Sequence, residues 1–177
     1  MEQKLYYILH GYGAGPGDNW FPWLKKTLEK KGHKVIVPTL PNTDDPKLSE
    51  WLETLNKVVA KNGKGILIGH SLGGVLVIHY LLQGGKADQV ILVAPPFFQV
   101  DALPKVTAID KFLVLPENID NLQFLKNNFV IFYSEDDPLV PHSHGAEWAK
   151  LLNAQKVVLP RMHFLIREFP EILKYLN

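Results

Sequence analysis

Short apolar runs rich in β-branched and aromatic residues alternate with helical patterns along the whole chain. These runs predict six strands, at residues 4–9, 34–37, 65–68, 89–93, 129–133 and 156–159. Alternation of such strands with helices is typical of a parallel sheet covered by helices on both faces. The pattern therefore predicts an α/β protein.

The clearest helical pattern lies between the second and third predicted strands. Apolar residues recur there at the spacing of one helix face, at Leu48, Trp51, Leu52, Leu55, Val58 and Val59. Asp45 and Pro46 are expected to supply the N-cap and first-turn proline of this helix, and Gly63 to follow its end. Further helices are predicted at residues 20–31, 72–82, 143–152 and 168–176, with Ser143 as the cap of the helix at 143–152.

A long connection of 34 residues, 95–128, separates the fourth and fifth predicted strands. It is rich in apolar residues and therefore has to pack on another part of the protein, and one short helix is predicted within it at 118–126. Two interpretations stay open. The segment is either a crossover helix plus loop that covers the sheet, or a small lid over a ligand site.

Composition and charge narrow the class of protein. The 177 residues, 46% of them hydrophobic, suit a single globular domain spanning 1–177. The net charge of +1 gives no basic excess for binding a phosphate backbone, so nucleic acid is not an expected partner. The absence of cysteine excludes disulfides, thiolate metal sites and cysteine nucleophiles. The apolar run at 5–9 is too short for a signal-peptide core or a membrane span, so we expect a soluble, cytoplasmic protein.

The segment Gly69-His70-Ser71-Leu72-Gly73 joins the third predicted strand to the following helix and matches the G-x-S-x-G pattern. A sharp turn there would expose the Ser71 hydroxyl at the carboxyl end of the sheet, in a strained conformation, with glycine needed on both sides to avoid collisions. The alternatives are a glycine-rich turn with an inert serine or a phosphate cradle. A P-loop would need a Lys-Ser or Lys-Thr pair next, which the following residues do not provide.

A serine hydroxyl needs a base to take its proton and a third group to orient that base. Carboxylates follow the fifth predicted strand, and Asp137 is favoured because Pro138 holds the residue before it in an extended conformation. His163, after the sixth strand, is the favoured base. The less favoured alternatives are Asp136 and Glu135 for the acid, and His142 and His144 for the base.

The other histidines have simpler expected roles. His142 and His144 have His-x-His spacing, but no third ligand is evident, so no metal is expected. His70 is expected to pack or to form a local hydrogen bond, His79 to be a partly buried structural residue, and His33 to need no special role.

Four segments together resemble the small cap-less α/β-hydrolases of the retinoblastoma-binding protein 9 and YdeN group of serine hydrolases. They are Ile8-Leu9-His10-Gly11-Tyr12-Gly13, the Ser71 turn, Asp136-Asp137-Pro138-Leu139-Val140-Pro141 and Met162-His163-Phe164. The resemblance covers essentially the whole chain and implies a sheet of order 2-1-3-4-5-6. It also implies a Ser71, Asp137, His163 triad in the chain order of α/β-hydrolases.

An acyl-transfer site also needs two N–H donors for the developing oxyanion. Leu72, directly after Ser71, is one by position. The resemblance makes the N–H of Tyr12 the other, with His10 supporting its loop. The chain departs from the family pattern in Ser134 and Met162, since many hydrolases have glycine at both positions, and Met162 could shift the imidazole or narrow the site.

The function expected is hydrolysis of small or short-acyl esters, with thioesterase or aminopeptidase-like amidase activity as variants of the same chemistry. No cofactor is implied. The expected apolar walls of the site are Tyr12, Phe97, Phe98 and Leu139. The rival classes are a protein-interaction module with an idle site and an acyl carrier. The chain has no cysteine and so lacks the retinoblastoma-binding motif Leu-x-Cys-x-Glu. Oligomeric state is left open.

Overall fold

The backbone forms one parallel sheet with helices on each side. A computed structural model describes residues 2–97, 107–114, 122 and 129–176. Within these residues the strands are β1 Leu5–Leu9, β2 Lys34–Ile36, β3 Ile66–His70, β4 Gln89–Val93, β5 Phe129–Tyr133 and β6 Gln155–Val158. Every neighbouring pair is parallel, and the order is β2-β1-β3-β4-β5-β6, which confirms the predicted topology.

The helices follow the predicted alternation. They are α1 Phe21–Lys30, α2 Leu48–Asn62, α3 Leu72–Leu82, α4 Thr107–Leu113 and α5 His142–Leu151. Gly63 ends α2 with a φ of 95°, as expected for a glycine at this position. The C-terminal segment was predicted as an α-helix over 168–176, but it forms a 3₁₀ helix, Pro170–Tyr175.

Both predicted N-caps are wrong. The N-cap of α2 is Lys47, in an extended conformation, because Asp45 lies in a preceding turn where its N–H donates to the carbonyl of Asn42 at 2.9 Å. Pro46 therefore also precedes the helix. In α5 the N-cap is Pro141, whose carbonyl accepts the first helical hydrogen bond, from the N–H of His144 at 2.9 Å. Ser143 consequently lies inside the first turn and caps nothing.

Two apolar clusters, one on each face of the sheet, hold the layers together. Successive strand residues point to opposite faces, so Tyr7 of β1 belongs to one cluster while Tyr6 and Ile8 belong to the other. The first cluster includes Trp51, Leu76, Phe112 and Trp148 from α2 to α5. The second includes Trp20, Phe21, Phe169 and Ile172 from α1 and the C-terminal segment. This gives three layers, and no helix in the described ranges is long and apolar enough to cross a membrane.

The described part of the long connection contains α4, a helix at a position where none was predicted. Ile109 and Phe112 of α4 are buried, and the Phe112 ring lies edge-on to Trp51 with centroids 5.1 Å apart. The Nε2–H of His79 in α3 donates to the carbonyl of Phe112 at 2.8 Å, the structural role expected for this histidine. This part of the connection therefore packs on α2 and α3. The helix predicted at 118–126 and Phe98 lie outside the described residues, Leu122 excepted.

Candidate active site

Ser71 forms a strained turn between β3 and α3. Its φ of 51° and ψ of −125° lie in a region that residues with side chains rarely adopt. A Cβ on Gly69 would lie 2.5 Å from the Gly74 Cα, and one on Gly73 would run into the carbonyl oxygens of Leu9 and His10. The predictions of strain at Ser71 and of a steric need for both glycines are confirmed.

Asp137 and His163 form a buried pair. The Nδ1–H of His163 donates to Asp137 Oδ2 at 2.8 Å, and the two side chains are 6% and 1% exposed respectively. Asp137 Oδ1 accepts the backbone N–H groups of Leu139 at 2.8 Å and Val140 at 2.9 Å. These three hydrogen bonds fix the direction of the carboxylate. Because Nδ1 carries the bonded proton, Nε2 is the ring nitrogen of His163 left to act as a base.

Ser71 and His163 line the same cavity, which has a volume of about 380 Å³. Both are nearly buried, at 6% and 5% exposure. No hydrogen bond within 3.5 Å joins their side chains in the described part of the chain. In free enzymes the bond between nucleophile and base is often long and shortens only with substrate bound.

The alternative acids and bases have other partners or positions. Asp136 accepts hydrogen bonds from the Ser134 hydroxyl and the Met162 N–H instead of binding a histidine. Glu135 is exposed. His144 Nδ1 accepts the N–H of Phe97 at 2.9 Å, and His142 is exposed at the start of α5. Among the described residues, no group of three or more His, Cys, Asp or Glu side chains could hold a metal ion.

His70 is the residue directly before Ser71, and its side chain contacts the loop that carries His163. Its Nε2–H donates to the backbone carbonyl of His163 at 2.8 Å, which matches the expected local hydrogen bond. Burial, and after it the nearby His163 ring, lower the pKa of His70 to about 3, so the imidazole is neutral. Its Nδ1 is buried without a hydrogen-bond partner in the described residues, as is the Nε1 of neighbouring Trp20.

The loop after β1 lies directly against the Ser71 turn. A Cβ on Gly11 would be 3.0 Å from the Ser71 Cβ and 3.3 Å from the Leu72 nitrogen. His10 braces this loop, since its Nδ1–H donates to the Gly11 carbonyl at 3.3 Å and its Nε2 accepts the Leu40 N–H at 3.1 Å. Burial lowers the pKa of His10, which favours the neutral ring that this arrangement requires. Tyr12 lines the cavity, and Leu72 is the first residue of α3.

Met162 has a backbone conformation that favours glycine. Its φ is 49°, in the left-handed region, and its side chain is 56% exposed. The described cavity lining does not include it. The methionine therefore leaves the His163–Asp137 hydrogen bond intact and does not narrow this cavity.

The cavity wall agrees with the sequence predictions in part. Tyr12 and Leu139 line it as expected. Phe97 is not among the described lining residues, because it is buried against Trp148, with ring centroids 4.7 Å apart. Sequence reasoning missed Asp18, Asn19 and Leu165. Leu165 is 61% exposed and stands two residues after His163, a spacing that could have indicated it.

The strand order and the placement of these residues define the class of protein. A six-stranded parallel sheet presents a strained serine after β3, an aspartate after β5 and a histidine after β6. This is the α/β-hydrolase fold, and the described residues contain no large cap domain.

Comparison with known proteins identifies the family. The profile of the family described as serine hydrolase matches residues 6–168, and the chain belongs to this family. It is 31% identical to the Bacillus subtilis protein YdeN over 156 residues, 85% of this chain and 80% of that one. It is 26% identical to the serine hydrolase RBBP9 of Rattus norvegicus over 168 residues, 92% and 89% of the two chains. The crystal structure of the YdeN protein matches with a TM-score of 0.85 and 27% identity, covering 98% of this chain and 97% of that chain.

Proposed function

We propose that the protein hydrolyses small or short-acyl carboxylic esters with Ser71 as nucleophile, His163 as general base and Asp137 as the group that orients the base. The observation that carries this proposal is the 2.8 Å hydrogen bond between His163 and Asp137 beside a cavity that Ser71 also lines. A neutral His163 with Nδ1 protonated can take a proton only at Nε2. The bond to Asp137 stabilises the imidazolium that then forms.

The reaction proceeds in two steps. Ser71 Oγ bonds to the ester carbonyl carbon as its proton passes to His163 Nε2, and the same proton then leaves with the alcohol. Water next attacks the carbonyl carbon of the acyl-enzyme and gives one proton to His163 Nε2. The bond between that carbon and Ser71 Oγ then breaks, His163 returns the proton to Ser71 Oγ, and the carboxylic acid is released. The N–H groups of Leu72 and Tyr12 are proposed to stabilise the oxyanion, since the loop that contains Tyr12 lies against the Ser71 turn.

The substrate class follows from the size and lining of the cavity. About 380 Å³ suits a small ligand, and Tyr12, Leu139 and Leu165 give it an apolar side. Thioesters and activated amides react by the same steps and are the variants to compare. The single-domain organisation, the cytoplasmic location and a small-molecule substrate stay predictions.

Active-site labelling tests the proposal. The wild-type protein and the Ser71→Ala and His163→Ala variants are treated with a fluorescent fluorophosphonate and weighed by intact mass spectrometry. Ser143→Ala and His33→Ala are matched controls, because Ser143 lies in α5 and His33 precedes β2. We expect one adduct on Ser71 that is lost in both active-site variants and kept in both controls. A panel of esters from acetyl to octanoyl then gives the preferred acyl length.

Failure of labelling has a defined meaning. If folded wild-type protein forms no adduct, or if His163→Ala labels as fast as wild type, the proposed triad is wrong. The interaction-module hypothesis would then take its place.

A further inference from the structure

Ser134 and Asp136, two residues at the end of β5, are hydrogen-bonded to the loop that precedes His163. The Ser134 side chain lies between that loop and β5 and is buried, at 1% exposure. Its Oγ accepts the N–H of Arg161 at 3.0 Å and lies 2.6 Å from the carbonyl oxygen of Leu159. Asp136 Oδ1 accepts both the Ser134 hydroxyl and the N–H of Met162, the latter at 2.9 Å. We call these two residues the Ser134–Asp136 clamp.

The numbers of donors and acceptors in the clamp indicate which of its groups are hydrogen-bonded to each other. Ser134 has one hydroxyl proton, yet two acceptors lie within reach, the Asp136 carboxylate and the Leu159 carbonyl. An ionised acceptor forms the stronger bond, so the proton belongs with Asp136. The same contacts, Ser134 first and the Met162 N–H second, lower the pKa of Asp136 and keep it charged.

The clamped loop needs such support because its backbone is strained. Met162 has a φ of 49° and Phe164 a φ of 55°, so both residues beside His163 are left-handed. For residues with side chains this conformation is strained, because the Cβ comes too close to the backbone. The turn is closed by the N–H of Phe164, which donates to the Arg161 carbonyl at 2.8 Å. The Asp136 bond acts at the first of the two left-handed residues, directly before His163.

We propose that Asp136, through the Ser134–Asp136 clamp, is a positioning residue that holds His163 in register with Asp137 and Ser71. The two adjacent aspartates then have separate tasks, since Asp137 orients the imidazole ring while Asp136 fixes the backbone that carries it. His70 holds the same backbone from the other side, at the His163 carbonyl. This inference rests on the proposed function, because it takes His163 as the base.

The test compares Asp136→Ala, Asp136→Asn and Ser134→Ala with wild type. Asp88→Ala is the matched control. Asp88 is a half-exposed aspartate directly before β4, at the amino ends of the strands and so away from the site, where it pairs with Lys64. Loss of register of about 1 Å can lower catalysis about 100-fold, so we expect kcat of Asp136→Ala to fall about 10- to 100-fold with KM within about twofold of wild type. Asp136→Asn keeps an acceptor oxygen for the Met162 N–H and should stay within about threefold of wild type. The kcat of Ser134→Ala should lie between the kcat values of Asp136→Ala and Asp136→Asn.

A spectroscopic measurement separates positioning from mere stability. The proton on His163 Nδ1, bonded to Asp137, gives a downfield signal in ¹H NMR of ¹⁵N-histidine-labelled protein. In Asp136→Ala this signal should move upfield or broaden at a temperature where circular dichroism shows the variant folded. It should be unchanged in Asp136→Asn and Asp88→Ala.

The results that would overturn the inference differ from those that would overturn the function. Wild-type kcat and an unmoved Nδ1 signal in Asp136→Ala would overturn the clamp even if Ser71 labels normally. Equal losses in Asp136→Ala and Asp136→Asn would overturn the assignment of Asp136 as a hydrogen-bond acceptor for the loop. Failure of wild-type labelling overturns the proposed function instead, and the NMR arm still tests whether Asp136 positions His163.

Discussion

His70 donates a hydrogen bond from its Nε2 to the backbone carbonyl of His163 at 2.8 Å. The residue before the candidate nucleophile is thus tied to the residue proposed as the base, through a contact that requires a proton on Nε2 of His70. Its ring is enclosed by Trp20, Phe21 and His163, with centroids 6.1, 5.8 and 5.0 Å away. The contact links the Ser71 turn to the loop after β6 without involving either reactive side chain.

The buried His70 should make the protein acid-sensitive. Its pKa is lowered to about 3 in the folded state, so between about pH 6.5 and 3 the unfolded chain binds more protons and the free energy of unfolding falls as pH falls. The loss should reach a few kcal/mol, and His10 and His79, whose pKa values are also lowered, add in the same direction. Urea unfolding at a series of pH values measures it. His70→Phe should flatten the slope below pH 6.5, and an unaltered slope in this variant would contradict the explanation.

Gly73→Ala should destabilise the protein by about 1–3 kcal/mol, because the new methyl group would overlap the carbonyl oxygens of Leu9 and His10. Gly17→Ala is the matched control, since a Cβ there meets nothing within 4 Å. Urea midpoints of the two variants give the comparison. Equal midpoints would show that β1 and α3 can separate without loss of stability.

Asp137→Asn should lower kcat about 10³- to 10⁴-fold, because an amide in place of the carboxylate cannot stabilise the imidazolium and favours the wrong tautomer of His163. KM should change little. The steady-state kcat and the rate of fluorophosphonate labelling should fall together. Asp136→Asn is the control at the neighbouring residue. A larger loss of kcat in Asp136→Asn than in Asp137→Asn would contradict the roles assigned to the two aspartates.

Leu165 and Phe97 should respond oppositely to truncation. Leu165 is 61% exposed and lines the cavity, so Leu165→Ala should change the preferred acyl length with little change in stability. Phe97 is 8% exposed and packs on Trp148, so Phe97→Ala should lower stability by about 3–5 kcal/mol and leave the acyl preference unchanged. Kinetics over the ester panel and urea unfolding separate the two effects. A changed acyl preference in Phe97→Ala would contradict this prediction and show that Phe97 contributes to the substrate site.

Sequence patterns were enough to predict the sheet because four of its six strands, β1, β3, β4 and β5, are largely apolar runs buried on both faces. The strained Ser71 and its two glycines were predictable because the turn is built from local sterics alone. The caps were not, since a turn to Asn42 and the proline at 141 displace Asp45 and Ser143 from the helix starts. The clamp at Asp136 and the cavity residues Asp18 and Asn19 arise from contacts between segments distant in sequence, which no local pattern records.

The positive φ of Ser71 means that the residue proposed as the nucleophile is less favourable for stability at this position than glycine would be. Any residue with a Cβ is strained there, whereas glycine is not, so Ser71→Gly should unfold at a higher temperature than Ser71→Ala, although both lack the nucleophile. The difference should be up to about 1 kcal/mol, because the greater freedom of glycine in the unfolded chain offsets part of the relief. Selection for heat tolerance alone would therefore favour loss of the serine. A library of this protein screened only by melting temperature should accumulate inactive variants at this one position.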